Sequence, residues 1–474
     1  MSFKQVQLKS DTLSKTMREL LGEHLLNTDL SSLEIGSNLS EIQSIAFQKF
    51  KNKESVLVLA PAGYGKSFLL KIMQEYNEEN GNQKMYITST TGVSAYNING
   101  MTIHSFMGIG TGDKNIEFLI RRVFKNREII DRLRNTDILV IDELSMLSAS
   151  LFEKINLICQ HFRKDKTFMG GIQVVFTSDP MQLLPVFNQN PKLFTEPEDT
   201  RLIIESKEFN DKFNKRNNNI IVLDKNFRQL GNNKFISLLL RIRLGIHTID
   251  DIKLLKNKTS SFNEESKNLI SKNITPVHLV ATNRKANVIN ETNLEKLEGE
   301  SYKYIVDFNK SGDNKECLDI IKNELESQFK QKNLMELILK CGARVMLIKN
   351  LDLSNGLVNG SMGTISSLTN NSVNVLFDNG FQKIITRVDW DIEMNNNTII
   401  ARQIPLILCY SITIHKSQGL TLDYSIMDLD NVFAEHQMYV ALSRVRSLDG
   451  LLLKSFNPSK ILVNEKMKSF FLNL

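Results

Sequence analysis

VLVLAPAGYGKSFLLK, residues 56–71, reads as a buried strand, a phosphate-binding loop and the first turns of a helix in direct succession. VLVLA is a continuous apolar, β-rich run, the pattern of a strand covered on both faces of a parallel sheet. Gly63 and Gly65 fall where backbone must wrap closely around a phosphate. The segment Pro61, Ala62, Gly63, Tyr64, Gly65, Lys66, Ser67 and Phe68 is therefore the candidate nucleotide cradle. Lys66 is placed to neutralise the β and γ phosphates, and the Ser67 hydroxyl to ligate Mg²⁺. The strict spacing G-x-x-x-x-G-K-[ST] is met except at its first position, which is Ala60.

Further along the chain, TDILVIDELSML (136–147) supplies a second buried strand ending in Asp142 and Glu143. Asp142 can hold Mg²⁺ through water, while Glu143 can orient and deprotonate an attacking water. GGIQVVFTSDPMQLLPV (170–186) is a third such strand, ending in Asp179 and Gln182. Carboxyl ends of strands are where α/β sheets place ligands, so Gln182 can touch a γ-phosphate and register its loss. A loop of this kind followed by two carboxylate-bearing strands predicts a nucleoside triphosphatase.

Far downstream, CYSITIHKSQGLTLD (409–423) leads from a β-branched strand into a dense polar cluster, and QMYVALSRVRS (437–447) carries Arg444 beside small residues. A guanidinium so placed can reach a γ-phosphate bound by another domain.

The totals bound the rest. A chain of 474 residues exceeds one hydrophobic core, so two or more domains are expected. Lys plus Arg exceed Asp plus Glu by 59 to 53, a net charge of +6 that suits a polyanionic partner. Cys159, Cys317, Cys341 and Cys409 are scattered, with no His/Cys cluster at metal-ligand spacing, so structural zinc is not expected. No apolar run approaches the ~18 residues of a membrane span and the N-terminus lacks a signal-peptide core, so a soluble, intracellular protein is expected, in nucleus or cytoplasm. SVNVLFDNGFQKIITRVDW (372–390) carries hairpin signals, and Trp390 reads as a core residue.

The order of these motifs resembles that of the Pif1-like and RecD-like helicases of superfamily 1, the 5′-to-3′ branch, from residue 38 to residue 455. LSEIQ (39–43) is similar to the adenine-reading glutamine motif, which assigns Gln43 to the base; TSTTGVSAYNINGMTIHSF (88–106) is similar to motif Ia and the element after it. KNFRQ (225–229) resembles motif IV, with Arg228 as a γ-phosphate contact, and ITIHKSQGLTL and YVALSR resemble motifs V and VI, which places Gly419 at the nucleotide and makes Arg444 an arginine finger.

The resemblance implies an α/β fold of two RecA-like P-loop domains in tandem, with nucleotide between them. The first would span 38–190 after an extension at 1–37, with a small wedge insertion near 107–135. The second would span 191–340 and 405–474, interrupted by an SH3-like β insertion at 341–404. Arg228 and Arg444 would come from the second domain. ATP and Mg²⁺ are implied as cofactors, with single-stranded DNA and tailed or forked duplex as partners of a monomeric motor whose recruiting proteins are unknown. Thr90, Thr91, Gly92, Thr102 and His104 would face the strand, Phe106 would stack or support, and His415 and Ser417 would contact it from the second domain. Three departures stand out: Ala60, Ser178 and His436 replace glycines usual in the family. An ATP-gated clamp that does not unwind, and an RNA helicase, are the alternatives.

Overall fold

The computed structural model describes residues 39–80, 83–185, 199–229, 231–271, 275–311, 318–319, 322–323, 325–326, 329–330, 333–352, 355–357, 359–394 and 397–474. The expected extension at 1–37 and Cys317 lie outside them. Residues 56–71 form β1 (Val56–Leu59) and the start of a helix over Lys66–Asn80. It is joined by β2 (Met85–Ser89), β3 (Met101–Thr102), β4 (Ile138–Asp142), β5 (Gln173–Ser178) and β6 (Ile220–Val222) in a parallel sheet of spatial order β3-β2-β4-β5-β1-β6. β1, β4 and β5 are buried along their whole length. Leu57, Leu59, Leu139 and Ile141 enter the core on one face, Val56, Val58, Ile138 and Val140 the core on the other, as a period of two requires.

This order has a consequence for chemistry. β5 lies between β1 and β4, so the turn after β5 sits between the phosphate loop and the carboxylates.

The first unit runs past the expected boundary at 190. β6 pairs with β1 at Leu57–Leu59, and Leu202, Ile203, Phe209 and Phe213 share its core with Met467 and Phe471 of the C-terminal helix Glu465–Leu472. Without β6, β1 would be a bare edge. Three residues, IIV, are too short a run to announce that pairing.

Residues 107–135 include two helices, Ile116–Phe124 and Arg127–Asn135. Leu119, Val123, Ile130 and Leu133 face the first core, while Phe118 and Phe124 are exposed.

After β7 (Val277–Val280) and a helix over Asn283–Glu295, the chain builds an antiparallel module: β8 (Tyr302–Ile305), β9 (Asp307–Ser311), β10 (Glu336–Leu339), β11 (Arg344–Leu347), β12 (Met362–Leu368), β13 (Ser372–Phe377), β14 (Gln382–Thr386), β15 (Val388–Met394), β16 (Asn397–Gln403) and β17 (Leu406–Leu408). Five of these form the sheet β14-β13-β12-β11-β17, and β9 pairs with β16. The module is thus wider than the expected 341–404: Tyr304, Leu337 and Leu339 share a core with Val345, Val373 and Ile385. Long-range pairing across 302–408 leaves no local mark in sequence. The hairpin signal Asp378–Asn379–Gly380 does join β13 to β14, with Gly380 at φ +83°. Trp390 is half-buried, its ring 5.3 Å from and nearly perpendicular to that of Phe329.

The chain then returns with β18 (Ser411–Thr413), β19 (Ser425–Asp428) and β20 (Leu451–Ser455), which join β7 in a second parallel sheet, β18-β7-β19-β20. Its core, built around Phe235, Leu238, Ile242 and the helix Gln437–Leu442, also receives Ala62 and Leu183 of the first unit. The two α/β units therefore pack together at the phosphate loop.

Candidate nucleotide and nucleic-acid site

The loop after β1 has the backbone a phosphate cradle needs. Gly63 and Gly65 have φ of +84° and +81°, a region that L side chains rarely adopt. A Cβ on Gly63 would lie 2.6 Å from Cβ of Arg228, and one on Gly65 would lie 2.6 Å from Nε2 of Gln43. Lys66 opens the following helix, and its ammonium donates to the carbonyls of Ala60 (2.8 Å) and Pro61 (3.2 Å). Burial pulls its pKa down, while Asp179, Glu143 and Asp142 act to hold the charge. Ser67 and Phe68 are exposed at the mouth of the loop, and Tyr64 is buried.

Gln43 is fully buried and already occupied. Its Oε1 accepts from the Ser40 N–H (2.9 Å) in a capping box that starts the helix Glu41–Lys51, and its Nε2 donates to Gly65 O (3.3 Å). In this conformation it supports the loop; reading a base requires it to let go.

Asp142 and Glu143 follow β4 as expected. Asp142 accepts a hydrogen bond from the Thr177 hydroxyl of β5, and burial raises its pKa. Glu143 is buried with a left-handed backbone (φ 55°, ψ 44°), a strained position for a non-glycine residue. Burial and the Asp142 carboxylate push its pKa up, to about 7, against the pull of Lys66 and Arg444. Its Oε2 is buried without a hydrogen-bond partner, which suits a carboxylate waiting for a water.

Gln182 lies between these groups and the second unit, where its Oε1 accepts from Nε2 of Gln418 (3.0 Å). Gly419, the next residue, is exposed with φ +83°.

Arg228 departs from expectation in its origin. It follows β6 and so belongs to the first unit's edge: the Phe227 N–H donates to Gly63 O (2.8 Å) and Nη1 of Arg228 donates to Ser443 O (2.9 Å) of the second. Arg444 does come from the second unit. Its guanidinium is fully buried and donates to Val440 O (2.8 Å), Ser417 O (3.3 Å) and Ser443 Oγ (2.8 Å), so it is held against its own helix and loop. Burial, then the charge of Arg444, lowers the proton affinity of Arg228. Two neighbouring guanidiniums converging beside Lys66 describe a place for a polyanion.

On the nucleic-acid side the outcome is divided. Thr90, Thr91 and Gly92 are half-buried at the carboxyl end of β2, and the Thr91 hydroxyl accepts from the Ser94 N–H (3.2 Å). Thr102 caps the helix Ile103–Met107, accepting from the Ser105 N–H (3.1 Å). His104 and His415 are half-buried, and the His415 ring lies over that of exposed Phe433 at 6.4 Å between centroids.

Phe106 is fully buried against Tyr86, with Arg132 over its ring, so it supports the fold and offers no face for a base. Ser417 is also fully buried, its hydroxyl donating to Ile414 O (2.8 Å), which removes it from direct contact with a strand. Ser105, beside Phe106, is exposed and Lys416, beside Ser417, is half-buried, while Met107 and Gln418 on the other side are buried with them.

Sequence reasoning assigned no role to three residues that the fold joins to the loop. The Tyr439 hydroxyl accepts from the Ala62 N–H (2.9 Å) and donates to Oδ2 of Asp179 (2.9 Å), and Asp179 is ion-paired with Arg243 (2.7 Å) where both are fully buried. YVALSR and SDPMQ held the first two in plain view. Arg243, at the end of the helix Asn233–Arg243, gave no signal.

Residues 38–252 match the PIF1-like helicase family, and residues 324–368 match the DNA helicase Pif1, 2B domain. ATP-dependent DNA helicase PIF1 of Xenopus laevis is 32% identical over 441 residues, taking in 91% of this chain and 64% of that protein. ATP-dependent DNA helicase RRM3 of Saccharomyces cerevisiae is 28% identical, with 98% of this chain and 72% of that one covered. The crystal structure of Pif1 helicase from Candida albicans is similar with a TM-score of 0.75 at 29% identity, over 92% of this chain and 99% of that chain. Bacteroides sp Pif1 in complex with ADP-AlF4 has a TM-score of 0.68 at 27% identity, over 91% and 96%. The chain spans a little under two thirds of the length of the frog protein. With its phosphate loop, paired carboxylates and Arg444 set between two RecA-like units, this chain belongs to the PIF1-like helicase family.

Proposed function

We propose that this chain is an ATP-dependent DNA helicase that moves 5′ to 3′ along single-stranded DNA and separates tailed or forked duplexes, in replication, repair or recombination. The observation that carries it is the meeting of Lys66, Glu143 and Gln182 with Arg228 and Arg444 at one buried junction between two α/β units. Relatives named for ATP-dependent DNA helicases, and a Bacteroides Pif1 structure bound to ssDNA, support the same reading.

The residues fit a Mg²⁺–nucleotide. Asp142 and the exposed Ser67 hydroxyl would hold the cation, a sparse protein set of the kind Mg²⁺ accepts when phosphates and waters complete its shell, and the cation would neutralise charge on the phosphates. Lys66 would exchange the carbonyls of Ala60 and Pro61 for phosphate oxygens. Glu143 would take the proton of the attacking water at its unpartnered Oε2. Arg444, on leaving Val440 O and Ser417 O, would meet the charge that develops in transfer, which makes hydrolysis depend on closure of the two units. Different grips on the strand in open and closed states then give stepping. Helices 116–135 would act as the wedge and the β module as an SH3-like clamp over DNA.

The test is strand separation with ATP on duplexes bearing a 5′ or a 3′ single-stranded tail, with Lys66→Ala as control. Unwinding from the 5′ tail alone is expected. Tight ATP-dependent binding without unwinding on either tail would replace the motor with a clamp.

A further inference from the structure

One peptide unit of the phosphate loop is held at both ends. The carbonyl of Pro61 accepts from the Lys66 ammonium (3.2 Å), and the N–H of the same peptide, on Ala62, donates to the Tyr439 hydroxyl (2.9 Å). Lys66 is the group that must move when phosphate arrives. Tyr439 belongs to the helix Gln437–Leu442 of the second unit, and Arg444 follows that helix by two residues. The hydroxyl in turn donates to Oδ2 of Asp179, whose Oδ1 is pinned by Arg243 and by the Met181 N–H (3.1 Å). Tyr439, Asp179 and Arg243 are all buried, and burial and the Asp179 charge hold the phenol in its protonated, donating form.

The Pro61–Ala62 peptide, the Tyr439 hydroxyl and the Asp179–Arg243 pair thus form a continuous chain from the phosphate-binding lysine to the helix that presents Arg444. We propose that Tyr439 is a positioning residue that transmits the state of the phosphate loop to the second unit, through the Ala62 N–H on one side and Asp179 on the other. It touches no phosphate itself. When Lys66 releases Pro61 O, that peptide is free to turn, and its N–H reaches Tyr439 at a changed angle; the helix carrying Arg444 follows. The device is physically bistable because both hydrogen bonds are shielded from water, where a misaligned partner is not replaced by solvent. It rests on the nucleotide-binding reading of this loop given above.

The experiment compares affinity for a single-stranded oligonucleotide in the nucleotide-free protein and with ADP plus aluminium fluoride, in the wild type and in Tyr439→Phe, which removes one oxygen and keeps the ring. In the wild type the two affinities differ by a factor in the roughly 5–150-fold range usual for coupled sites. In Tyr439→Phe the ratio falls to about 1, while affinity for ADP stays within about threefold and the melting temperature shows the fold intact; a merely structural tyrosine would lower stability and leave the ratio alone. Incorporation of 3-fluorotyrosine at 439, which keeps the hydroxyl, retains most of the wild-type ratio; its loss there would assign the effect to packing and overturn the proposal. Should Tyr439→Phe fail to fold, Asp179→Asn keeps an oxygen for the hydroxyl and removes the charge that anchors it, and lowers the ratio in the same direction. A folded Tyr439→Phe or Asp179→Asn with the full wild-type ratio overturns the proposal alone. A wild type whose affinity ignores nucleotide overturns the parent reading and this one with it.

Discussion

The Thr90 hydroxyl donates to the main-chain carbonyl of Glu143 at 3.0 Å, across the neighbouring ends of β2 and β4. Thr90 is among the residues expected to face the DNA strand, and Glu143 is the residue proposed to activate water. Their link runs through backbone that is already strained, at φ 55°. A shift at Thr90 therefore reorients the carboxylate without crossing a flexible segment. Replacing Thr90 by Val keeps the shape and deletes the donor. DNA-stimulated kcat should fall by up to about tenfold, the order expected for one partly buried hydrogen bond lost from a positioned group. Steady-state phosphate release at saturating oligonucleotide measures it, and an unchanged kcat would disconnect the two sites.

Arg444 is held by three hydrogen bonds to its own helix and the loop before it, so its contribution to transfer requires that they break. Arg444→Ala should lose hydrolysis by roughly 10³-fold or more with nucleotide affinity retained. Arg444→Lys keeps the charge but lacks the planar fork that these carbonyls and a phosphate both use, so it should recover little of the rate. Turnover with fluorescent-nucleotide binding separates the two quantities. A near-normal rate in the Ala variant would leave Arg444 a structural residue.

Much of this centre was legible because its strands are buried on both faces: VLVL, ILVI and QVVF can be little else; the first runs straight into the glycine-bearing loop, and the other two end in the polar residues Asp142 and Ser178. Sheet order was not legible. That β5 separates β1 from β4, and that β6 rather than a second domain flanks β1, follows from long-range pairing that leaves no periodic trace. The same limit hid the span of the β module, whose β9 and β16 are distant in sequence. Phe106 and Ser417 were given to the strand by resemblance alone, which carries no burial, and the helix turn at 103–107 and the turn at 414–417 carry both inward.

The three departures from family glycines also differ physically. The Ala60 methyl is buried in the core with its N–H donating to Ser178 O (2.9 Å), continuing the β1–β5 ladder at an ordinary backbone angle. Ser178 offers its hydroxyl to the Ser145 N–H (3.0 Å), a bond glycine cannot make. His436 alone occupies a glycine-like conformation, at φ +63°.

His436 has a pH consequence. Its Nε2 accepts from the Asn464 N–H (3.2 Å), which needs the neutral ring, and burial pulls its pKa down to about 4. Asp179 opposes that shift and Arg243 adds to it. The folded value lies below the ordinary 6.5, so the unfolded chain binds the proton first as pH falls, and stability is lost from about pH 6.5 down to about 4. Between pH 7 and pH 5 this one group should remove about 2 kcal/mol. Denaturant midpoints at the two pH values, compared with those of His436→Gly, isolate it: the variant should lose less stability on acidification. Equal losses would mean that His436 titrates normally.

Phe118 and Phe124 stand 51% and 69% exposed on the helix Ile116–Phe124, whose other face is anchored by Leu119 and Val123. Two large rings left in water on a firmly packed support suit a surface that meets the first base pair of a duplex. Replacing both by Ala removes apolar surface that the core does not use, so stability should change by under about 0.5 kcal/mol. Phosphate release stimulated by a single strand should be little altered, because no strand junction is present. Strand separation on a tailed duplex should slow by about tenfold, since stacking of this kind contributes ~1–3 kcal/mol per base. The ratio of base pairs opened to ATP consumed, measured on one forked substrate, is the decisive quantity. A fall in that ratio makes helix Ile116–Phe124 the wedge, whereas a fall in both rates together makes it part of the grip on the single strand.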